Sequence, residues 1–446
     1  MKILVVAGGT GGHVFPALCV ANNLRGRGHN VVFATDHRGN AYLSGFSGLK
    51  VVRPLSKPPE SDLMKGEPAR RTGVYFGVHE DSSTVSTKQK TGCGEFGERS
   101  ILNIRTFPRR ILYLSLLFNT IKCFWKLLRD RPDCVVGFGG YPSVPFALAA
   151  QLLFIKTIIH EQNAVIGKAN KLLSFMAHKI ITSFPDVLPP KWNGKSILIG
   201  NPTRFEKEYG IPRVSRPLSK PSESDLMEGE TARRTGVYLS VHQRDEYRYL
   251  STGLTKQKAD CGKLGKWSSK TDVFTILIFG GSQGASIFAG VISDTICILS
   301  SDTKLKVYHQ ARSEDVDKIR EKYKNANLDY EVSSFFENIN ILYKQSDLVI
   351  SRSGASSIFE IIGFMVPAIL IPYKKSINGD QLANARFLQK HDATIVVDED
   401  EITAYQLLIT IKDLIQNPQH LERISQNLAG LYVKDITIKC ADAMLH

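Results

Sequence analysis

A glycine-rich loop that ends in a histidine is the first part of the chain whose residue types could do chemistry. Residues 8–13 read Gly-Gly-Thr-Gly-Gly-His and follow a short apolar run at residues 3–7. Glycines let a backbone approach phosphate closely, and the first turn of a following helix offers free N–H groups and the positive end of its dipole. His13 stands where that helix must begin. It could be a neutral general base near pH 7, or it could make only local hydrogen bonds.

The loop departs from the two common nucleotide-binding fingerprints. In the best GxGxxG register, Val14 stands where the third glycine belongs, although Asp36 could serve as the acid that binds a ribose. No Lys-Ser or Lys-Thr pair follows the glycines, which excludes a Walker loop. An NAD-dependent oxidoreductase is therefore a disfavoured alternative.

A second set of loops, in the other half of the chain, has the residue types of a nucleotide-sugar site. Residues 280–284 and 351–357 each follow an apolar run and precede a helical pattern, as diphosphate-binding loops do. Glu360 could accept both hydroxyls of a ribose, or could only favour the helix dipole. Asp380 and Gln381 could bind sugar hydroxyls, or could cap the next helix. The order of these signals within one half favours the binding interpretation.

Alternating strands and helices must position these loops. Apolar runs predict strands at residues 3–7, 30–35, 134–136, 157–159, 274–279, 348–351 and 368–371, with helices over residues 15–24 and from residue 285. The pattern predicts an α/β protein with two Rossmann-like halves that face each other across a cleft. The carboxyl ends of parallel strands gather ligands at such a cleft.

Composition and charge exclude several classes of protein. The chain has 446 residues, a net charge of +14 and ordinary apolar content, unlike disordered, collagen-like or coiled-coil chains. Its seven cysteines form no CxxC pair and no zinc spacing, which favours a reducing cytoplasm and no metal site. We expect neither a signal peptide nor a spanning helix. The basic surplus predicts an anionic partner: nucleic acid, a membrane surface or a phosphorylated substrate.

Two segments of the chain repeat each other closely. Residues 53–79 and 216–242 share most of their sequence, beginning with Arg-Pro-Leu-Ser-Lys-Pro, while their flanks differ. Both are rich in proline, glycine, serine and charge, a composition that buries little surface. They resemble the mobile palindromic elements that insert in frame into genes of some intracellular bacteria. We therefore predict inserted loops at 53–100 and 216–270; a duplicated binding loop is the alternative.

One predicted helix, over residues 107–128, is unusually apolar. Its polar residues recur at spacings of three and four and form a narrow stripe: Ser115, Asn119, Lys122, Lys126 and Arg129. Basic residues flank it at positions 105, 109, 110, 126, 129 and 131. An apolar surface rimmed by Lys and Arg is typical of contact with an anionic membrane. The alternative is a core helix with a solvated polar stripe.

Seven motifs occur in an order that resembles the MurG family of bacterial peptidoglycan glycosyltransferases, which have the GT-B fold. They are GGTGGHVFPA at 8–17, GFGGYPS at 137–143, HEQN at 160–163, GNPTR at 200–204, GGSQGA at 280–285, SRSGASSIFE at 351–360 and GDQLANA at 379–385. The resemblance covers the chain outside the two repeats. It implies transfer of N-acetylglucosamine from UDP-GlcNAc to the muramyl 4-hydroxyl of lipid I, with inversion, to give lipid II.

The resemblance also implies roles for individual residues. It places Thr10, Gly11 and Gly12 beside the donor and acceptor phosphates, with His13 as candidate base. The other donor-side positions are Asn163, Arg204, Ser282, Phe336 beside the uracil, Ala355, Ser356, Ser357, Ile358, Phe359, Glu360 on the ribose and Gln381 on the GlcNAc hydroxyl. Acceptor-side positions are Tyr141, Glu161 and Asn170. The family's short basic loop after the third strand is not recognisable, because the first repeat occupies that region.

The expected partners and domains follow from the same resemblance. The partners are UDP-GlcNAc, lipid I, an anionic membrane surface and other cell-wall synthesis proteins, with no nucleic acid, cofactor or metal, at the cytoplasmic face of the bacterial inner membrane. We expect an acceptor-side domain at 1–200, on which 428–446 packs back, and a donor-binding domain at 201–427. The alternatives are another UDP-GlcNAc-using GT-B enzyme, such as a UDP-sugar 2-epimerase, and a non-catalytic membrane-bound relative.

Overall fold

Two parallel sheets, one in each half of the chain, form the framework of the computed structural model. The structure describes residues 1–40, 42–43, 50–52, 112–209, 273–280 and 286–446. The two predicted insertions, at 53–100 and 216–270, lie outside the described residues. Strands and helices alternate in both halves, which confirms the prediction of an α/β protein with two halves.

The first sheet has seven strands in the order β3-β2-β1-β4-β5-β6-β7. The strands are β1 Lys2–Val6, β2 Asn30–Ala34, β3 Lys50–Val52, β4 Cys134–Gly137, β5 Lys156–Glu161, β6 Lys179–Thr182 and β7 Ser196–Leu198. The helices are α1 Gly11–Gly26, α2 His37–Asn40, α3 Leu112–Asp130, α4 Ser143–Leu152 and α5 Lys168–Leu173. The strand order reverses between β1 and β4, so the loops after these two strands open on one crevice.

The second sheet has six strands in the order β10-β9-β8-β11-β12-β13. The strands are β8 Phe274–Phe279, β9 Leu305–Gln310, β10 Asp329–Ser333, β11 Leu348–Ser351, β12 Ala368–Leu370 and β13 Ile395–Val396. A π-helical turn, Phe288–Ile292, precedes α6 Ser293–Leu299; then follow α7 Val316–Asn325, α8 Ile339–Gln345, α9 Ala355–Phe364, α10 Asp380–Lys390, α11 Ala404–Gln416 and α12 Pro418–Leu431. Here the reversal lies between β8 and β11, and the loop after β11 is the SRSGA segment.

The last helix, α13 Ile436–Leu445, lies against the first half of the chain. The Arg27 guanidinium is 2.5 Å from the Asp442 carboxylate, and the Lys179 ammonium donates to the Ala443 carbonyl at 2.9 Å. Cys440 and Met444 on its inner face are fully buried. The chain therefore begins and ends in the same half.

Helix α3 presents an apolar face to solvent. Leu117, Phe118, Ile121 and Trp125 are 48–65% exposed. Two residues of the predicted polar stripe, Asn119 and Lys126, are buried, and the Lys126 ammonium is 2.9 Å from the Asp130 carboxylate.

The alternative of a core helix with a solvated polar stripe is therefore wrong, because four large apolar side chains are exposed while two residues of the stripe are buried. Cys123 and Leu127 pack into a cluster with Leu4 and Phe146, and this contact fixes which side faces out. Within the described residues, every helix falls short of the length and apolar character needed to cross a membrane.

Candidate active site

Two glycine loops of the first half interlock at the crevice between β1 and β4. Gly140 has φ +78°, and a Cβ there would lie 2.4 Å from the Gly8 carbonyl oxygen. A Cβ on Gly8 would in turn meet the Pro142 ring at 2.5 Å. Ser143 stabilises this contact between the two loops, since its hydroxyl donates to the carbonyls of Val6 at 3.1 Å and Gly139 at 2.7 Å. Only glycine allows these backbones to come so close.

Asp36 stabilises the first glycine loop by hydrogen bonds to its backbone. Its buried carboxylate accepts hydrogen bonds from the backbone N–H of Gly9 at 3.0 Å and of Gly39 at 2.8 Å. The sequence left open whether this residue is a ribose-binding acid. In the structure its Oδ1 accepts both hydrogen bonds and so shapes the loop.

His13 is the third residue of α1 and lies between the two loops. Its Nδ1 is 3.3 Å from the Thr10 hydroxyl, and a Cβ on Gly139 would come within 2.8 Å of its Cδ2. Burial lowers the pKa of His13 to about 4; Asp36 raises this pKa and Arg38 lowers it, both by less. The imidazole is therefore neutral at pH 7 and able to accept a proton. Gly11 is buried beside it, while Thr10 and Gly12 are partly exposed.

The loop after β5 is organised by a buried carboxylate. Glu161 accepts from the N–H of Asn163 at 3.1 Å, from the N–H of Gly167 at 2.9 Å and from the Asn170 amide at 2.9 Å. Burial raises the pKa of Glu161, while these hydrogen bonds oppose the rise. Glu161 and Asn170, predicted on the acceptor side, thus contact each other and shape the 162–167 loop. Tyr141, the third such residue, is partly buried in the loop after β4.

His160, next to that carboxylate, is fully buried at the end of β5. Its ring stacks on Phe138 at 5.1 Å, and its Nε2 is 3.1 Å from the Gly200 carbonyl. Burial lowers the pKa of His160 to about 4. This residue links the end of β5 to the GNPTR segment.

In the second half, Glu360 lies on the inner face of α9. The Tyr343 hydroxyl donates to its carboxylate at 3.1 Å. Burial raises the pKa of Glu360, while Arg204 and the Tyr343 hydrogen bond lower it. Arg204 is exposed and stacks over Phe15 at 4.6 Å, so it stands beside both α1 and the Glu360 region. Neither contact tests whether Glu360 binds a ribose, which stays a prediction.

The first turn of α9 divides its predicted binding residues into two groups. Ser356 and Ser357 are partly exposed at the start of the helix. Ala355, Ile358 and Phe359 are buried; Phe359 meets Phe184 of the first half at 5.3 Å. We therefore expect the latter three to support the site by packing. Ser282 lies outside the described residues.

Gln381 and Phe336 are the remaining residues of the predicted donor site. Gln381 is the second residue of α10, and its Oε1 accepts from the Tyr373 N–H at 2.9 Å. Phe336 is 7% exposed, with its ring edge-on to Tyr308 at 6.4 Å, while the neighbouring Phe335 is 42% exposed. Of these two aromatic rings, Phe335 is therefore the more accessible to the uracil ring of a bound nucleotide.

The structure also shows two buried polar residues to which motif reading gave no role. Arg352, inside the SRSGA segment, is buried, 2.5 Å from Glu399 and 2.9 Å from the Ile371 carbonyl. Asn384, inside GDQLANA, contacts both halves of the molecule. Both residues lie in quoted motifs, but their partners are remote in sequence and carry no local signal. Among the described residues, no group of three or more His, Cys, Asp or Glu side chains could hold a metal ion.

Family models match both halves of the chain. The model described as "Glycosyltransferase family 28 N-terminal domain" matches residues 3–76 and 85–182. The model described as "Glycosyltransferase family 28 C-terminal domain" matches residues 275–438. The first match includes part of the segment 53–100.

Curated relatives cover nearly the whole chain. A protein of Rickettsia prowazekii is 32% identical over 435 residues, 96% of this chain and 94% of its own length. A protein of Rhodospirillum rubrum is 30% identical over 445 residues, 99% of this chain and 91% of its own. Both are named UDP-N-acetylglucosamine–N-acetylmuramyl-(pentapeptide) pyrophosphoryl-undecaprenol N-acetylglucosamine transferase.

Solved structures share the fold. MurG from Acinetobacter baumannii superposes with a TM-score of 0.65 at 22% identity, covering 100% of this chain and 99% of that one. A UDP-GlcNAc 2-epimerase from Neisseria meningitidis, bound to UDP-GlcNAc, gives 0.56 at 13% identity and covers 100% of both chains. The predicted fold, two Rossmann-like halves of the GT-B type, is thereby confirmed.

Proposed function

The chain belongs to glycosyltransferase family 28, and from this premise we propose that it transfers N-acetylglucosamine from UDP-GlcNAc to lipid I, forming lipid II. The carrying observation is the pair of relatives, at 32% and 30% identity over nearly the full chain, whose name states this reaction. Both glycine-loop regions that such a reaction needs are present, one in each half. The reaction serves peptidoglycan synthesis.

We propose His13 as the base of an inverting transfer. The muramyl 4-hydroxyl oxygen attacks the anomeric carbon as its proton passes to the imidazole, and the bond to UDP breaks with UDP leaving as the anion. His13 is neutral at pH 7 in the free enzyme because burial lowers its pKa to about 4. A substrate diphosphate beside the α1 N-terminus would raise that pKa toward the range where a base is effective.

The donor is assigned to the second half. The first turn of α9 offers the partly exposed Ser356 and Ser357 to a diphosphate, and Glu360 lies one turn deeper, where the ribose hydroxyls would have to displace the Tyr343 hydroxyl or add to it. We assign Gln381, the second residue of α10, to the GlcNAc hydroxyls. Departure of UDP is helped by N–H groups at helix N-termini, which favour the developing negative charge.

The acceptor side is assigned to the first half and to a membrane surface. The exposed apolar face of α3 offers Leu117, Phe118, Ile121 and Trp125, with Lys122 over the Phe118 ring at 4.2 Å and Arg129 exposed at its end. A helix with such a face and basic neighbours binds in the interface of anionic lipid. We propose that the protein docks by this face at the cytoplasmic side of the inner membrane, where a lipid-linked acceptor would be presented.

The experiment that tests this function is UDP release with purified lipid I. We expect UDP release and a lipid II product only when UDP-GlcNAc and lipid I are both present. UDP release from UDP-GlcNAc alone would instead favour the epimerase-like alternative, whose fold this chain shares. Binding of UDP without turnover on lipid I would favour a non-catalytic relative.

A further inference from the structure

A buried asparagine on α10 joins the two halves of the molecule. Asn384 is fully buried, and its amide makes three hydrogen bonds. Its Oδ1 accepts from the N–H of Ala164 at 2.8 Å, and its Nδ2 donates to the Asn163 Oδ1 at 3.1 Å and to the Ser353 carbonyl at 3.0 Å. Ala164 and Asn163 follow β5 in the first half, while Ser353 follows β11 in the second.

We propose that Asn384 is a positioning residue that aligns the two halves for sugar transfer; the proposal rests on the proposed function. The three hydrogen bonds of Asn384 all go to protein atoms, on both sides of the junction. Asn384 sets where the HEQN loop stands relative to the start of α10, so that Asn163 and Gln381 face the same sugar.

The hydrogen-bond pattern orients both amides without ambiguity. The Ala164 N–H can only donate, so the atom of Asn384 that meets it must be the carbonyl oxygen. The other end of Asn384 is then the NH₂ group, and its two hydrogens are used by two oxygens. Asn163 must therefore turn its own oxygen toward Asn384, which leaves its Nδ2 as the end directed elsewhere. A donor amide at position 163 suits a sugar or phosphate oxygen.

The network continues to the predicted sugar contact. The Ser353 hydroxyl donates to the Gln381 carbonyl at 2.8 Å, while the Ser353 carbonyl receives Asn384. The SRSGA loop, the first turn of α10 and the HEQN loop thus share one set of bonds. Small errors in alignment are costly, since a misplacement of about 1 Å can reduce turnover about 100-fold.

Asparagine is the side chain that this position needs. Asn384→Ala removes all three bonds, whereas Asn384→Asp has nearly the same shape and keeps the acceptor for Ala164. The aspartate lacks the two N–H donors and sets a carboxylate oxygen against the oxygens of Asn163 and Ser353. Gln389→Ala, at an exposed position of the same helix, is the matched control.

The test measures kcat, KM for UDP-GlcNAc and UDP affinity for the full-length enzyme and these variants, with unfolding temperatures recorded. We expect Asn384→Ala and Asn384→Asp to lower kcat about 10- to 100-fold, with UDP affinity within about twofold of wild type because α9 is untouched. Gln389→Ala should match wild type. A kcat for Asn384→Ala within twofold of wild type overturns the proposal, and so does a fall in UDP affinity as large as that in kcat.

Two further measurements test the Asn384 bridge, the three hydrogen bonds of Asn384 that join the two halves, separately from the proposed function. The first is a double-mutant cycle of Asn384→Ala and Asn163→Ala, in which the double variant should lose no more kcat than the worse single variant. Fully multiplicative losses in kcat would show that Asn384 does not act through Asn163. Hydrogen exchange at the Ala164 amide needs no substrate. It should quicken in Asn384→Ala and stay slow in Asn384→Asp and Gln389→Ala, and unchanged exchange in Asn384→Ala overturns the bridge. Wild-type enzyme inactive on lipid I would remove the proposed function and leave this last result to decide the bridge.

Discussion

At the scale of single residues, burial determines the chemistry of the ionisable groups around the cleft. Burial lowers the pKa of His13 and His160 to about 4 and raises the pKa of Glu161 and Glu360. In each case the neutral form gains, as expected where water is excluded. The free enzyme therefore holds its candidate base unprotonated, ready for an acceptor proton.

His13→Ala tests the base. We expect kcat to fall about 100- to 10,000-fold, the range that general-base catalysis contributes, with UDP affinity within about twofold of wild type because the nucleotide is assigned to the other half. Steady-state kinetics and calorimetry give the two numbers. His420→Ala, an exposed histidine of the second half, is the control. Near-normal turnover in His13→Ala would remove this residue as the base.

The buried histidines also predict how stability depends on pH. Burial lowers the pKa of His309 to about 3, and the pKa values of His13 and His160 to about 4, from an ordinary value of 6.5. Between pH 4 and 6.5 the unfolded chain binds more protons at these sites than the folded one. Stability therefore rises with pH through this window and is lost on acidification, by up to about 1.4 kcal/mol per pH unit for each histidine.

Urea unfolding of wild type and His309→Gln at several pH values between 4 and 7.5 measures this effect. We expect a shallower loss of stability in the variant than in the wild-type protein. The difference between proteins removes the contribution of Glu161 and Glu360, whose raised pKa values act in the opposite direction. Equal slopes in wild type and His309→Gln would contradict the assignment.

At the scale of elements, the strands that precede the glycine loops were predictable, whereas the edge strands and two interior strands, β6 and β9, were not. Strands β8 and β11 have the predicted bounds, since both are buried apolar runs. Strand β7 was missed because it has only three residues and lies at the largely exposed edge of the sheet. Helix α1 begins at Gly11 rather than 15, because Thr10 is extended and the two glycines already adopt the helical turn. That shift is what places His13 inside the first turn.

The candidate site divides in the same way. Motifs located His13, Glu360 and Gln381, because their residue types and their places after strands are local signals. The bond between Asn384 and Ala164 spans 220 positions, and nothing near either residue specifies it. Which side of α3 faces out was also beyond the helical period, since it depends on the contact of Cys123 with the sheet.

The close approach of Gly140, in the loop after β4, to Gly8 gives a prediction about backbone strain. Gly140→Ala introduces a Cβ at φ +78° and within 2.4 Å of the Gly8 carbonyl, so the two loops must separate. We expect a loss of about 1–3 kcal/mol in stability and a lower kcat, because His13 lies against the same loops. Gly430→Ala, in open space within α12, should be neutral or stabilising by up to about 1 kcal/mol. Thermal unfolding compares them, and equal effects would argue against this close approach.

The apolar face of α3 gives a prediction about lipid. Trp125→Glu replaces a 65% exposed ring with a charge that cannot enter the interface. We expect affinity for phosphatidylglycerol-containing vesicles to fall at least about tenfold, since burial of such a side chain contributes about 1.5–3 kcal/mol. Sedimentation with vesicles measures it. Ile298→Glu, a 49% exposed position in the second half, should bind as wild type does. Undiminished binding of Trp125→Glu would refute docking by this face.

At the scale of the whole molecule, the two halves are joined by more than the chain between them. Phe184 of the first half meets Phe359 and Phe387 of the second at 5.3 and 5.1 Å. Glu206 accepts from the Thr437 N–H at 3.0 Å, which ties the segment after β7 to the start of α13. Alignment of the halves is therefore built into the fold, and Asn384 adds hydrogen bonds to the same junction.

The return of α13 to the first half predicts which part of the molecule its removal weakens. Met444 is fully buried, so Met444→Ala should cost about 2–5 kcal/mol of unfolding free energy, whereas Ile438→Ala, 42% exposed on the same helix, should cost under about 0.5 kcal/mol. Trp125 and Trp192 lie in the first half, and the third tryptophan of the sequence is Trp267. With Trp267→Phe as the background, tryptophan fluorescence during urea unfolding reports on the first half. UDP binding, assigned to the second half, should survive in Met444→Ala at low urea. Equal losses in the two variants would mean that α13 does not support the first half through its buried face.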